Sequence, residues 1–212
     1  MENQTKPKSG GKFLEYLSAE ILKYTVYPEL EVLVWDKPDL RFPTFGVEHT
    51  IVGEILYCTL ERAVNSLSLG SNVSDLKEET ADLINKTHQP NIQLNYDILT
   101  DFSEIKKLLS TALNRKNAKI EGYKHYNASV DLFIHLLYFH KSAGEMRELI
   151  SVAQKERGKF RKIYILFKND LVCAEKKRVT HHTFSADEYD YLSSLAVKEM
   201  KNAQFFIGSP SK

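Results

Sequence analysis

The stretch Glu31–Gly53, EVLVWDKPDLRFPTFGVEHTIVG, reads as three short strands in quick succession. Leu30 to Trp35 is the first β-rich run, Asp39 to Phe42 a shorter one behind Pro38, and Phe45 to Val52 the third. Pro43 and Gly46 punctuate the connection between the second and third, as a tight turn requires. Side chains alternate along a strand, so Glu48 and Thr50 share one face while Val47, His49 and Ile51 share the other. A hairpin that sets Asp39 opposite Glu48 brings two carboxylates close together. Such a pair raises the pKa of its members unless a cation or proton lies between them. Mg²⁺, or Mn²⁺ in its place, is the fitting cation: a hard ion held by one or two carboxylates plus water.

Upstream, residues 1–12 (MENQTKPKSGGK) carry no apolar core and read as a disordered tail. Residues 13–212 read as a single α/β domain. Phe13, Leu14, Leu17, Ile21, Leu22 and Tyr24 mark an amphipathic helix that Tyr27-Pro28 stops, with Glu15 and Glu20 expected to face water. Downstream of Gly53 a helix is expected from Glu54 to Leu69, closed by Gly70, and a second from a capping box at Asp75 and Glu78 to about His88. A short strand, Ile92 to Tyr96, and a helix from Asp101 and Glu104 to about Asn114 follow. The span 70–120 reads as a helical insertion, a lid or a partner surface.

The second half opens with Tyr123 to Asn127 and then VDLFIHLLYFH, Val130 to His140, a near-continuous apolar run of the kind a strand buried on both faces shows. Ser142 and Glu145 box a helix to about Arg157, and Lys162 to Lys168 is the next strand. Strand, helix, strand demands parallel pairing through a right-handed crossover. Asn169-Asp170 turns the chain, Leu171 to Glu175 pairs back as an edge strand, and Ser185 with Glu188 boxes a last helix through about Ala203. Its stripe of Tyr189, Leu192, Leu195, Ala196 and Met200 faces the sheet.

The words Pro38-Asp39 and Glu48-x-Thr50, on a helix–strand–strand–strand frame, resemble the PD-(D/E)xK nuclease superfamily, the restriction-endonuclease-like fold. The resemblance implies a mixed sheet flanked by helices, with a helical insertion, spanning about Phe13 to Lys168. It implies Mg²⁺ on Asp39 and Glu48, an extra carboxylate from Glu15 or Glu20, and phosphodiester cleavage in DNA or RNA. It also implies a homodimer. In that family a Lys stands two residues after the Glu; here the position is Thr50, a hydroxyl without charge. Unless another cation supplies the missing electrostatic help, the alternative is a nuclease fold without catalysis, a nucleic-acid-binding or protein-interaction module. Lys23, Lys124, Lys141 and Lys168 are the candidates for a migrated cation. Arg41, on the face of Asp39, would ground a phosphate or pair with Glu48, making a structural network of Asp39, Arg41 and Glu48.

The 212-residue chain is 42% hydrophobic and 27% charged, ordinary for a globular protein, and its net charge of +1 confines any polyanion site to a local patch. The run Lys155–Lys162 and the trio Lys176, Lys177, Arg178 are such patches, with Phe160 and Tyr164 among them. Cys58 and Cys173 fit no metal spacing and read as reduced thiols, and no apolar run has the length of a membrane span, so a cytoplasmic location and no membrane partner are expected. Of the histidines, His181-His182 read as loop residues, His135 as a hydrogen-bonded core residue, and His49 as facing away from Glu48. His140-Lys141 stand at a strand's C-terminal end, where α/β sheets bind ligands. No Gly-rich phosphate loop or GxSxG elbow is present.

Overall fold

The computed structural model describes residues 13–35, 38–53, 101–121, 129–137 and 142–205. Its strands are β1 (Leu33–Val34), β2 (Leu40–Arg41), β3 (Phe45–Val52), β4 (Ser129–Leu136), β5 (Ile163–Phe167), β6 (Asp170–Ala174) and β7 (Val179–Thr183). They form one mixed sheet in sequential order. The first three run antiparallel, β3, β4 and β5 are mutually parallel, and β6 and β7 return antiparallel. Among the described residues four helices flank it: α1 (Phe13–Thr25), α2 (Phe102–Glu121), α3 (Ala143–Lys155) and α4 (Ala186–Phe205). The architecture is therefore mixed α/β.

Each face of the sheet has its own apolar core, because strand alternation sorts the side chains. On one face Val47, Phe133, Tyr164, Leu171 and Cys173 pack under α1 (Leu14, Leu17, Ile21) and α4 (Leu192, Ala196, Met200). On the other, Leu132, Ile134, Ile163, Ile165 and Val172 pack under α2 (Ile105, Leu109, Leu113) and α3 (Leu149, Ala153). The apolar run of β4 is buried on both sides, as its sequence requires. The β4–α3–β5 unit is the parallel crossover expected.

Two capping boxes start helices where serine and glutamate stand three apart. Glu145 N–H donates to Ser142 Oγ at 3.2 Å at the head of α3. At α4 the exchange is reciprocal: Ser185 N–H donates to Glu188 Oε2 at 2.8 Å, and Glu188 N–H to Ser185 Oγ at 3.2 Å.

Four sequence expectations need correction. The helix expected to end near Asn114 continues to Glu121. Its stripe of Ile105, Leu109, Ala112 and Leu113 keeps its period through Lys116 and Ile120, and nothing at Asn114 breaks it. His181-His182 lie on a strand and not in a loop, since Val179–Thr183 folds back on β6 through a hairpin closed by Glu175 N–H to Arg178 C=O at 2.8 Å. That pairing makes β6 interior to the sheet and β7 the edge. Both α1 carboxylates expected to face water, Glu15 and Glu20, are buried, and Glu20 is paired with Lys23 at 3.2 Å. The helices expected at 54–69 and 75–88, the short strand at 92–96, the stretch 123–127, and Glu54, Cys58, Lys124, His140 and Lys141 lie outside the described residues.

Candidate functional site: two carboxylates closed by two lysines

β2 pairs with β3 through Leu40 opposite Val47 and Arg41 opposite Gly46. One step further along that register, Asp39 stands opposite Glu48. Both project to the α2 face, where Lys116 Nζ lies 2.7 Å from Glu48 Oε2 and 3.6 Å from Asp39 Oδ2. Lys119, one turn along the same helix face, reaches Glu48 Oε2 at 3.1 Å. Two negative and two positive charges thus meet in one cluster, and Glu48 is wholly buried beneath it. Lys116 is buried as well, whereas the Lys119 side chain is 41% exposed and forms the open side of the cluster.

Asp39 is fixed from the main chain: His49 N–H donates to its Oδ2 at 2.7 Å. Burial and the nearby Glu48 charge push the Asp39 carboxyl above its ordinary range, while Lys116, the His49 amide and Lys119 pull the other way. A raised carboxyl beside a second carboxylate is a pattern shared by functional sites and structural ion-pair networks. Thr50 is buried on the same strand face as Glu48, two residues on.

Of the candidate cations, Lys23 serves Glu20 on α1, and Lys168 occupies the left-handed turn (φ 54°) between β5 and β6. Arg41 lays its guanidinium over the Trp35 ring, 4.8 Å from the centroid. The lysines that meet the acidic pair are Lys116 and Lys119, and the sequence reading passed over both by ending their helix too soon. The signal was present: Lys116 interrupts the buried stripe of α2, a position where an ammonium needs an acidic partner.

Glu15 and Glu20 do not join the site. Their helix packs on the opposite face of the sheet, and among the described residues no group of three or more His, Cys, Asp or Glu side chains is placed to hold a metal ion. The basic patches are spread likewise: Arg161 is turned to Asp131, and Lys162 pairs with Glu175 at 2.9 Å. His49 does face away from Glu48. Its ring lies 5.0 Å from that of His135, whose Nε2 is 2.9 Å from Ser18 Oγ. Ser18 spends its own hydroxyl proton on the Leu14 carbonyl at 2.7 Å, so His135 is the donor to Ser18. Burial drives the His135 pKa down to about 3, which keeps that ring neutral in the core.

The orientation of α2 is set by Asn117, next to Lys116. Its amide nitrogen donates to the carbonyls of Leu113 and Glu156, both at 3.1 Å, and its oxygen accepts from Lys159 N–H at 2.9 Å. Gly158 makes room for this clamp: its φ is +58°, and a Cβ there would collide with the Asn117 amide. The turn after α3 therefore fixes the rotation of α2, and with it the aim of Lys116 and Lys119.

No helix among the described residues is long and apolar enough to cross a membrane. Comparison with protein-family models, with curated proteins and with solved structures returns no match.

Proposed function

We propose that the chain is a metal-dependent phosphodiesterase of nuclease type, acting on DNA or RNA, on a restriction-endonuclease-like frame. One observation carries this reading: an ammonium delivered from a helix, Lys116, sits between Asp39 and Glu48. The seat between the two carboxylates already takes a cation, and its donors are hard oxygens, so Mg²⁺ or Mn²⁺ suits the same pair. When bound there by Asp39 and Glu48, such an ion supplies an acidified water and polarises a phosphodiester oxygen. Asp39 stays oriented by the His49 amide. Lys116 and Lys119 bring the positive charge that Thr50 lacks to the phosphate, where negative charge grows in the transition state. Burial keeps bulk water from screening the charge of Lys116.

The decisive experiment is cleavage of labelled single- and double-stranded DNA and RNA with Mg²⁺ or Mn²⁺ by the wild type, Asp39→Asn, Glu48→Gln and Lys116→Met. Both acid variants are expected to fall to background, and Lys116→Met to lose about 100- to 1,000-fold. Cleavage that survives both acid substitutions overturns the reading.

A second reading, a binding or interaction module on the same frame, is favoured by the complete burial of Glu48 and its double neutralisation. Calorimetric titration with Mn²⁺ separates the two: heat that vanishes in Glu48→Gln supports the enzyme, and no heat at millimolar ion supports the module.

A further inference from the structure

We propose that the end of the sheet built from residues 155–162 and 175–178 is a tracking surface for a nucleic-acid backbone, which it leads toward the Asp39–Glu48 site without reading sequence. This deepens the proposed phosphodiester chemistry and rests on it for the identity of the ligand.

Two runs distant in sequence meet there. KERGKFRK, residues 155–162, closes α3 and enters β5, and EKKR, residues 175–178, turns β6 into β7. The pairing of β5 with β6, Ile163 opposite Ala174, sets them side by side. Gln154 Nε2 donates to the Glu175 carbonyl at 2.8 Å, and Lys162 Nζ lies 2.9 Å from Glu175 Oε1. Together the runs hold eight cations and two acids, a net of +6, in a chain whose total is +1. The rest of the chain therefore sums to −5, so the positive charge is gathered at one end.

Within the runs, Arg161 and Lys162 are engaged by Asp131 and Glu175. Lys176, Lys177 and Arg178 form the exposed tip of the β6–β7 hairpin, and Lys155 and Lys159 are exposed on the neighbouring run. The aromatic residues interleaved with this charge, Phe160 and Tyr164, are buried in the two cores and offer no face to a base. Cations without stacking faces hold phosphates, and phosphate contacts carry no sequence information.

Strand register ties this end to the acidic pair. Glu48, Leu132, Ile163, Ala174 and Val179 are paired in one row from β3 to β7. The hairpin tip lies just past the far end of that row, four strand spacings or about 19 Å from Glu48. Between them the Asn117 amide oxygen accepts from Lys159 N–H at 2.9 Å. That bond brings the end of α2 that carries Lys119, the open side of the acid–lysine cluster, against the first run. A duplex carries one negative charge per roughly 1.7 Å of axis, so a span of this length meets several phosphates.

The test is anisotropy of a labelled duplex of about 16 base pairs titrated with the full chain from about 50 to 200 mM salt, with EDTA to prevent cleavage, for two unrelated sequences. Wild type is expected to bind both sequences alike, with affinity falling steeply as salt rises. Lys176→Gln/Lys177→Gln is expected to lower affinity about 10- to 60-fold at about 0.1 M salt and to flatten the logarithmic salt slope by about 2. Lys176→Arg/Lys177→Arg is expected to keep the wild-type slope, which separates lost charge from lost fold. Lys198→Gln/Lys201→Gln, which removes the same charge from exposed positions of α4, is expected to leave affinity and slope near wild type. An unchanged slope in the tip variant, an equal loss in the α4 variant, or a strong preference for one sequence overturns the surface. So does wild type that binds phosphatidylserine vesicles and not the duplex, which assigns the charge to a membrane. Binding with the expected slope but no cleavage in Mg²⁺ keeps the surface and sinks the catalytic assignment. Cleavage with an unchanged KM in the tip variant keeps the chemistry and sinks the surface.

Discussion

Among the described residues two carboxylates are completely buried, Asp131 at the start of β4 and Glu48 in the middle of β3, and they are neutralised by different chemistry. Asp131 is gripped by a fork: Arg161 donates Nε to Oδ1 at 2.9 Å and Nη2 to Oδ2 at 2.8 Å. Lys162 N–H adds a bond to Oδ1 at 3.1 Å and the Tyr164 hydroxyl one to Oδ2 at 3.4 Å. Tyr27 closes the network, 2.7 Å from the Tyr164 hydroxyl. Burial, the Asp131 charge and the hydrogen bond with Tyr27 hold the Tyr164 phenol above its ordinary pKa, and hydrogen bonding to Asp131 does the same for Arg161. A guanidinium in that geometry neither releases a proton nor moves aside. Glu48 instead faces a second acid and two ammoniums on flexible stems. One site is a rivet, the other a cluster of two acids and two ammoniums on flexible stems, and burial alone does not distinguish them.

The largest expected effect tests the rivet. Arg161→Leu strands a buried carboxylate, and urea unfolding is expected to show a loss of roughly 3–5 kcal/mol. Lys116→Met is expected to cost less, roughly 1–3 kcal/mol, because Lys119 still reaches Glu48. If Lys116→Met costs as much as Arg161→Leu at unchanged m-value, the two acids are held alike and the distinction collapses.

The smallest effect has the opposite sign. The Asp39 carboxyl is raised in the folded state, chiefly by burial and by Glu48. Between the ordinary carboxylate range and that raised value the native state binds more protons than the unfolded one, so stability falls as pH rises through that window. Asp39→Asn removes the ionisation and keeps an acceptor for the His49 amide. The variant is expected to unfold at slightly higher urea than wild type at neutral pH, the gain shrinking as pH drops below the carboxylate range. A variant less stable at neutral pH would mean that Asp39 serves the fold. Greater stability with lost cleavage is the signature of a residue kept for chemistry.

The strand-rich stretch was legible because alternation and turn residues agree there: β3 spans Phe45–Val52 as read, and the hairpin register sets Asp39 opposite Glu48. Serine–glutamate boxes likewise announced α3 and α4. What escaped had weaker local signals. β7 is exposed at every position, so it lacks the alternation by which a strand declares itself, and only its β-branched residues hint at it. Asp131 hides inside an apolar run, and its partner lies thirty residues downstream. Lys116 and Lys119 meet Glu48 from about seventy residues away, a convergence set by how α2 lies on the sheet, which no spacing rule in one chain encodes.

The clamp on Asn117 has a consequence for how such a molecule can vary. Because the turn between α3 and β5 grips α2 at Asn117, the alignment of the two lysines is tied to residues about forty positions further along the chain. Replacing Gly158, remote from the centre in sequence, would throw the whole helix out of phase.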